Sequence, residues 1–375
     1  MPSSSRLPRL VLLLREFPER ATASERVRDA DLDGLVHLAF EQRVLPALGA
    51  VLIRQGADPV PSQLALFLSQ QAEPLSARHR ALVAHAVNEA RNADLLQQLA
   101  RSLTVLRARG ISVIPLKGAA ILEADPEVAR ELTDVDLLVT DASRIDEARD
   151  VLLGDGYRDT TSAEYQQETV LPDEHQLRPL VRDGRAGSIE LHRSVLQTEY
   201  DRLFSVTFAR QHTMHTGADE RLTPFALALH SIIHNRVVDN SYRRLDPGLR
   251  SVLDVIWCAR RDPTTPEQLL QHATANPGLV RRSIRASLLL ARMIAPELKI
   301  PAPRVRERWW WFQVRALYRV PRLRGPFAAL ALLPFSLRRE RMEARAGHPL
   351  SAAALLAARI RFLGTRSARY ARDGV

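Results

Sequence analysis

Residues 110–140 read GISVIPLKGAAILEADPEVARELTDVDLLVT, and the fold is decided there. Residues 111–116 form a short β-branched run, which favours an extended chain. Residues 118–130 space their apolar side chains as a helix, and residues 134–139 form an apolar strand headed by carboxylates. Strand, helix and strand in so short a span predict an α+β unit with a small mixed sheet. Alternation along the second strand puts Asp134 and Asp136 on one face. Two anions held about 5 Å apart repel by about 3 kcal/mol at an effective dielectric of about 20. A site that fixes such a pair suits a divalent cation between them, and oxygen ligation suits Mg²⁺ or Mn²⁺. A solvated strand end carrying two aspartates explains the same residues, so their companions matter.

The upstream companion is Leu116-Lys117-Gly118, at the junction of strand and helix. Unpaired backbone N–H groups and the helix dipole favour a phosphate at such a junction, and Gly118 lets the backbone approach it closely. Of the 53 Lys and Arg residues only Lys117 and Lys299 are lysine, so 51 are arginine. Either a compact ammonium is wanted at 117 or the lysine is a chance survivor of an arginine-rich composition. Downstream, Ile189-Glu190-Leu191-His192 places Glu190 and His192 on one strand face. Pairing of that strand with 134–139 completes a three-carboxylate cage of Asp134, Asp136 and Glu190 for one or two metal ions. An exposed sheet face with alternating polar residues is the competing account.

Helical periodicity surrounds this unit. Residues 79–109 repeat apolar side chains at three and four positions, from Leu82 to Leu106, and predict one helix of about 30 residues stopped by Gly110. Before it, residues 1–78 read as small helices broken at Pro46, Pro59, Pro61 and Pro74. After the second strand, a helix over 143–153 closes at Gly154-Asp155-Gly156, and Tyr157 opens an extended piece. Strands near 176–182 and 188–192 flank a Gly-rich hairpin signal at 183–187. Beyond Thr223 helices are expected over 225–238, 247–260, 265–275 and 279–294. The chain therefore divides at 1–109, 110–222, 223–300 and 301–375: a helical region, an α+β core, a helical unit closing the cleft, and an Arg-rich helical tail.

With 375 residues, 46% hydrophobic and 26% charged, the chain can bury a sizeable core, which excludes disordered and fibrous classes. One cysteine, Cys258, excludes a disulfide framework and a thiolate metal cluster. The five-residue apolar run from Leu10 to Leu14 lacks a cleavage signal behind it, so a cytoplasmic protein is expected. Residues 301–375 hold sixteen arginines against Glu307, Glu340, Glu343 and Asp373, a charge of +12 within a chain of +10. A surface that seeks polyanions therefore sits at this end. Trp309-Trp310-Trp311, among Arg304, Arg306, Arg308, Arg315 and Arg319, reads as core or as a docking face at a membrane surface or partner; stacking on nucleic acid is not favoured. The thirteen-residue apolar stretch at 325–337 is too short to span a bilayer, which needs about 20 residues.

Three other signals are set aside. Asp29, Asp31, Asp33 and Gly34 imitate half a calcium loop, but Phe40 stands where its bidentate Glu is required. His230 and His234 share a helix face with Ser231 in place of a metalloprotease Glu, and read as buried or capping histidines. Arg236, Arg243 and Arg244 read as surface arginines, within reach of a triphosphate across the cleft.

Residues 88–157 resemble the uncharacterised nucleotidyltransferase family of the DNA polymerase β-like superfamily. The shared pattern is a helix ending in glycine, a strand, Leu-Lys-Gly, an arginine four residues before Asp-x-Asp-Leu-Leu-Val, and a helix closing at Gly-Tyr. Lys117, Gly118, Arg130, Asp134, Asp136 and Tyr157 occupy those places. A Glu-Leu-His strand matches Glu190 and His192, and histidines before Leu-Arg-x-x-x-Asp match His230, His234 and residues 249–254. Two features depart from the superfamily: Ala119 replaces the usual Ser or Gly, and fifteen residues separate Gly118 from Asp134. The resemblance implies in-line transfer of a nucleoside monophosphate from a nucleoside triphosphate, ATP being expected. In that reading Asp134, Asp136 and Glu190 are catalytic and hold Mg²⁺ or Mn²⁺. Lys117, Gly118, Arg130 and His192 hold the nucleotide, His192 chiefly by orienting its neighbours. The acceptor, whether protein, peptide, sugar, antibiotic or RNA, is not named by the sequence. A catalytically silent nucleotide-binding or scaffold protein is the alternative, and a basic nucleic-acid module a further one.

Overall fold

The computed structural model describes residues 29–54, 57–69, 75–161, 175–216, 219–320, 323–328 and 351–354, with a few isolated positions outside these stretches. Four helices precede the sheet among them: α1 (Asp29–Glu41), α2 (Leu45–Arg54), α3 (Ser62–Ser69) and α4 (Ala77–Ala108). The Ser76 hydroxyl accepts the His79 amide proton and starts α4, and Gly110, at φ +65°, lets the chain leave it. The 32 residues of α4 match the length expected from its periodicity, and α1, α2 and α3 pack on it. The acids at 29–33 stand in the first turns of α1, a helix and not a metal loop.

The sheet contains β1 (Val113–Pro115), β2 (Asp134–Val139), β3 (Arg158–Asp159), β4 (Leu180–Val181) and β5 (Ser188–His192), in the order β1-β2-β5-β4-β3. Only β2 and β5 run parallel; the other neighbours are antiparallel. Parallel neighbours need a long crossover, which here carries α6 (Ile145–Gly154), β3 and β4. As a central strand β2 is covered on both faces, so Val135, Leu137 and Val139 are buried, and so are Asp136 and Leu138 between them. Helices α4 and α6 pack against each other and against β2 and β5.

One expected element is shorter than its pattern. The helix predicted over 118–130 is α5 (Lys117–Ala124), which stops at Asp125. Pro126 disfavours helical geometry at the residue before it, and Asp125 is extended at φ −155°. The released segment turns back and brings Arg130 under the start of α5.

After β5 come α7 (Val206–Gln211) and the hairpin β6 (Thr213–Thr216) and β7 (Asp219–Leu222), whose second strand packs beside β1. Thr223 caps α8 (Pro224–Ile232), with proline in the first turn. The helix expected to run to 238 changes to a π-helical turn over Ile233–Val238. Helices α9 (Leu249–Arg261), α10 (Thr265–Ala275), α11 (Leu279–Ile294) and α12 (Val305–Arg319) follow. Apolar residues from α1 through the sheet to Val314 of α12 form one continuous core. No helix of the described residues is long and apolar enough to cross a membrane. The apolar stretch at 325–337 lies largely outside the described residues.

Candidate active site

The β2–β5 register sets the centre of the site. Asp136 lies directly across from Glu190, Asp134 from Ser188 and Leu138 from His192. Alternation then puts Asp134, Asp136, Glu190 and His192 on one face, while Val135, Leu137, Ile189 and Leu191 share the other. The Nε2 atom of His192 lies 2.9 Å from Oδ1 of Asp136 and 3.8 Å from Oε2 of Glu190. Lys117, the first residue of α5, donates from Nζ to the same Asp136 oxygen at 2.6 Å. It holds φ +47°, a left-handed conformation unusual for a residue with a Cβ. Such strain persists where the surroundings over-determine it, here through β1, α5 and the ion pair.

Burial and charge pull these groups in different directions. Asp136 is 1% exposed. Burial alone raises its carboxyl, but the Lys117 ammonium and the His192 ring outweigh it and hold Asp136 well below the usual carboxylate range. For Lys117 burial acts downward, and the facing Asp136 carboxylate overrides it and raises the ammonium. Burial, and then the charges of Asp136 and Asp134, push Glu190 up to about 8, although the Gln176 side chain hydrogen-bonds it. Burial lowers His192 despite Asp136, so its ring is neutral at pH 7. Asp134, Asp136 and Glu190 therefore face the single ammonium of Lys117, and a further positive charge is favoured there.

Donor atoms of Asp136, Glu190 and His192 lie within 4.8 Å of one another. Two carboxylate oxygens and a neutral ring nitrogen, gathered where negative charge is in excess, fit a divalent cation. This candidate group joins His192 to Asp136 and Glu190, two of the three carboxylates expected to form a cage. Asp134, half-buried at the open end of β2, stands outside that group of three. The pairing of β2 with β5 brings His192 beside Asp136, as the shared face of Glu190 and His192 allows.

Arg130 and Gly118 form a second arrangement beside the first. Nε and Nη2 of Arg130 donate to the two carboxylate oxygens of Asp254 on α9, at 2.7 and 3.1 Å, and Nη1 donates to the Glu131 carbonyl at 3.2 Å. The Ser231 hydroxyl of α8 donates to the same carboxylate at 2.7 Å. The side-chain amides of Asn88 and Asn92 on α4 donate to the Arg130 carbonyl at 3.1 and 2.8 Å. A Cβ at position 118 would lie 1.8 Å from Nη1 of Arg130. The missing side chain at 118 therefore makes room for a guanidinium. Arg130 is engaged by Asp254 where a phosphate-facing guanidinium was expected.

The helical residues fall differently as well. His230 is fully buried against Phe204, with ring centroids 5.4 Å apart, and burial lowers its pKa strongly. His234, half-buried, faces Asp239 at 3.3 Å. Arg236, expected at the surface, is wholly enclosed. It donates to the Asp246 and Pro247 carbonyls and to Ser287, and burial pushes it down to about 10. Asn88, Asn92 and Gln176 carry no motif; the signal available for the first two is a polar pair four residues apart on an otherwise apolar helix stripe.

The family described as uncharacterised nucleotidyltransferase matches residues 28–296. The chain belongs to that family, part of the DNA polymerase β-like nucleotidyltransferase superfamily. Neither the comparison with curated proteins nor that with solved structures returns a match.

Proposed function

From membership of a nucleotidyltransferase family, we propose that this chain transfers a nucleoside monophosphate from a nucleoside triphosphate, ATP foremost, to an acceptor hydroxyl on a protein, peptide or small molecule. The observation that carries the reading is the convergence of Asp136, Glu190 and His192 across two parallel strands, beside the Lys117 ammonium. In the reaction the acceptor hydroxyl gives up its proton to solvent, its oxygen bonds to the α-phosphorus, the bond from that phosphorus to the bridging oxygen breaks, and pyrophosphate leaves with that electron pair. Asp136 and Glu190, with His192 or Asp134, would hold Mg²⁺ or Mn²⁺, which when bound would supply charge neutralisation and a lower pKa for the acceptor hydroxyl.

The remaining work belongs to the chain's own side chains. Lys117 neutralises triphosphate charge, and the first amides of α5 offer N–H donors to its oxygens. His192, neutral and hydrogen-bonded to Asp136, holds that carboxylate in one orientation. Asp134 joins from its half-buried position as the cleft fills. Arg130 acts as a positioning residue: packed on Gly118 and fixed by Asp254, it sets where α5 begins. An abundant intracellular donor suits a cytoplasmic enzyme.

Incubation with each labelled nucleoside triphosphate, Mg²⁺ or Mn²⁺ and cell extract is expected to label an acceptor, and Asp136→Ala to abolish the label. Metal-independent nucleotide binding without transfer would instead mark a silent relative. Salt-sensitive RNA or DNA binding with no transfer would mark a nucleic-acid module.

A further inference from the structure

Helix α12 has two unlike faces. Its inner face is anchored: Trp310, Trp311 and Val314 are buried, Trp310 stacks on Tyr242 with centroids 5.5 Å apart, and the Arg236 guanidinium lies 5.2 Å over the same indole. Along the outer face Val305, Trp309, Phe312, Ala316 and Val320 follow at steps of four, three, four and four residues, which makes one stripe along the helix. Val305 is 83% exposed, Trp309 58%, Phe312 56% and Val320 45%. At 100° per residue, Arg308, Arg315 and Arg319 fall along one border of this stripe and Arg306 along the other, all exposed. The sole acid in the helix, Glu307, is turned inward and accepts the Arg304 amide proton. The outer face therefore presents apolar and cationic groups, and the helix contributes no acid to it.

We propose that this face docks the protein on an anionic lipid bilayer, with α12 lying in the plane of the surface. Trp309 and Phe312 enter the boundary between headgroups and acyl chains, and the bordering arginines reach lipid phosphates while their stems cover apolar surface. Charge complementarity selects this occupant: residues 301–375 carry +12, and a bilayer with anionic headgroups offers both the charge and the apolar layer that the stripe needs. The inner-face contacts hold the helix formed before it meets the membrane, so docking costs little ordering entropy. The inference is independent of the catalytic reading and uses none of its residues.

Flotation of the full chain with phosphatidylcholine vesicles, with and without about 30% phosphatidylglycerol, tests it. Partitioning at least tenfold stronger onto the anionic vesicles is expected, weakening as salt rises. Trp309→Ser with Phe312→Ser is expected to reduce binding tenfold or more, and Arg308→Gln with Arg315→Gln to remove most of the anionic preference. Thermal unfolding should be unchanged in both, because these side chains are exposed. Bromine-labelled lipid should quench tryptophan fluorescence in the parent chain, and less in a Trp309→Phe variant that still binds. Equal binding to both vesicle types would overturn the proposal, as would full binding by the Trp309→Ser/Phe312→Ser variant. So would a lipid-free dimer that this variant dissolves, or capture of RNA without capture of vesicles.

Discussion

At Arg130 one guanidinium meets one carboxylate, and Ser231 completes the pairing; at Asp136 three carboxylates crowd around one ammonium. Both clusters are buried, and consecutive residues touch them: Lys117 belongs to one, and Gly118 is the floor of the other. The balanced cluster has its charge met within the protein and fixes geometry between α4, α5, α8 and α9. In the unbalanced one Glu190 rises to about 8, so a proton or an external cation must complete it. Similar side chains thus give structure where charge is matched and a candidate cation site where it is not.

The sharpest way to break this comparison is Asp136→Asn. Loss of the carboxylate shared by Lys117 and His192 is expected to lower nucleotidyl transfer on the order of a thousandfold, and calorimetric titration should show Mn²⁺ affinity lost with it. In the balanced cluster the expected cost is stability. Asp254→Asn leaves a buried guanidinium without its counter-charge and should destabilise the fold by about 3–5 kcal/mol in urea unfolding. The double change Arg130→Met, Asp254→Leu should recover much of that loss, since it removes both charges.

Glu190 gives a pH test. In the metal-free protein its folded pKa of about 8 lies above the ordinary 4.5, so the folded state holds a proton that the unfolded state releases between those values. Stability attributable to this group is present at low pH and declines as pH rises from about 4.5 to about 8. Glu190→Gln should remove a decline on the order of 4–5 kcal/mol, while saturating Mn²⁺ should offset it in the parent chain but not in the variant. Melting curves at pH 5 and pH 8 read all four states. The smallest expected effect is Ser231→Ala, about 1 kcal/mol of stability for one hydrogen bond to Asp254, with Mn²⁺ affinity unchanged. A large loss of metal binding in that variant would mean the two clusters are one.

Much of the fold is legible locally. The period of α4, the glycine that ends it, the carboxylate-headed strand β2 and the Gly-rich hairpin before β5 are short-range signals, and each corresponds to an element found here. The family, the Asp136–Glu190 juxtaposition and the lysine could be read as well, because alternation fixes a face and β2 and β5 carry their acids in phase. Three things required the folded chain. Pro126 was visible, yet the apolar spacing through Val128 and Ala129 masked the stop it imposes on α5. The π-helical turn at Ile233–Val238 has no local composition to announce it. Arg130 and Asp254 are 124 residues apart, and nothing in either neighbourhood points to the other.

That 124-residue separation also has a temporal side. A ribosome delivers Arg130 well before Asp254, so a nascent chain carries an uncompensated cation beneath α5 until α9 has emerged. For the same reason a fragment ending near residue 222 leaves the Arg130 guanidinium without the Asp254 carboxylate of its helical counterpart.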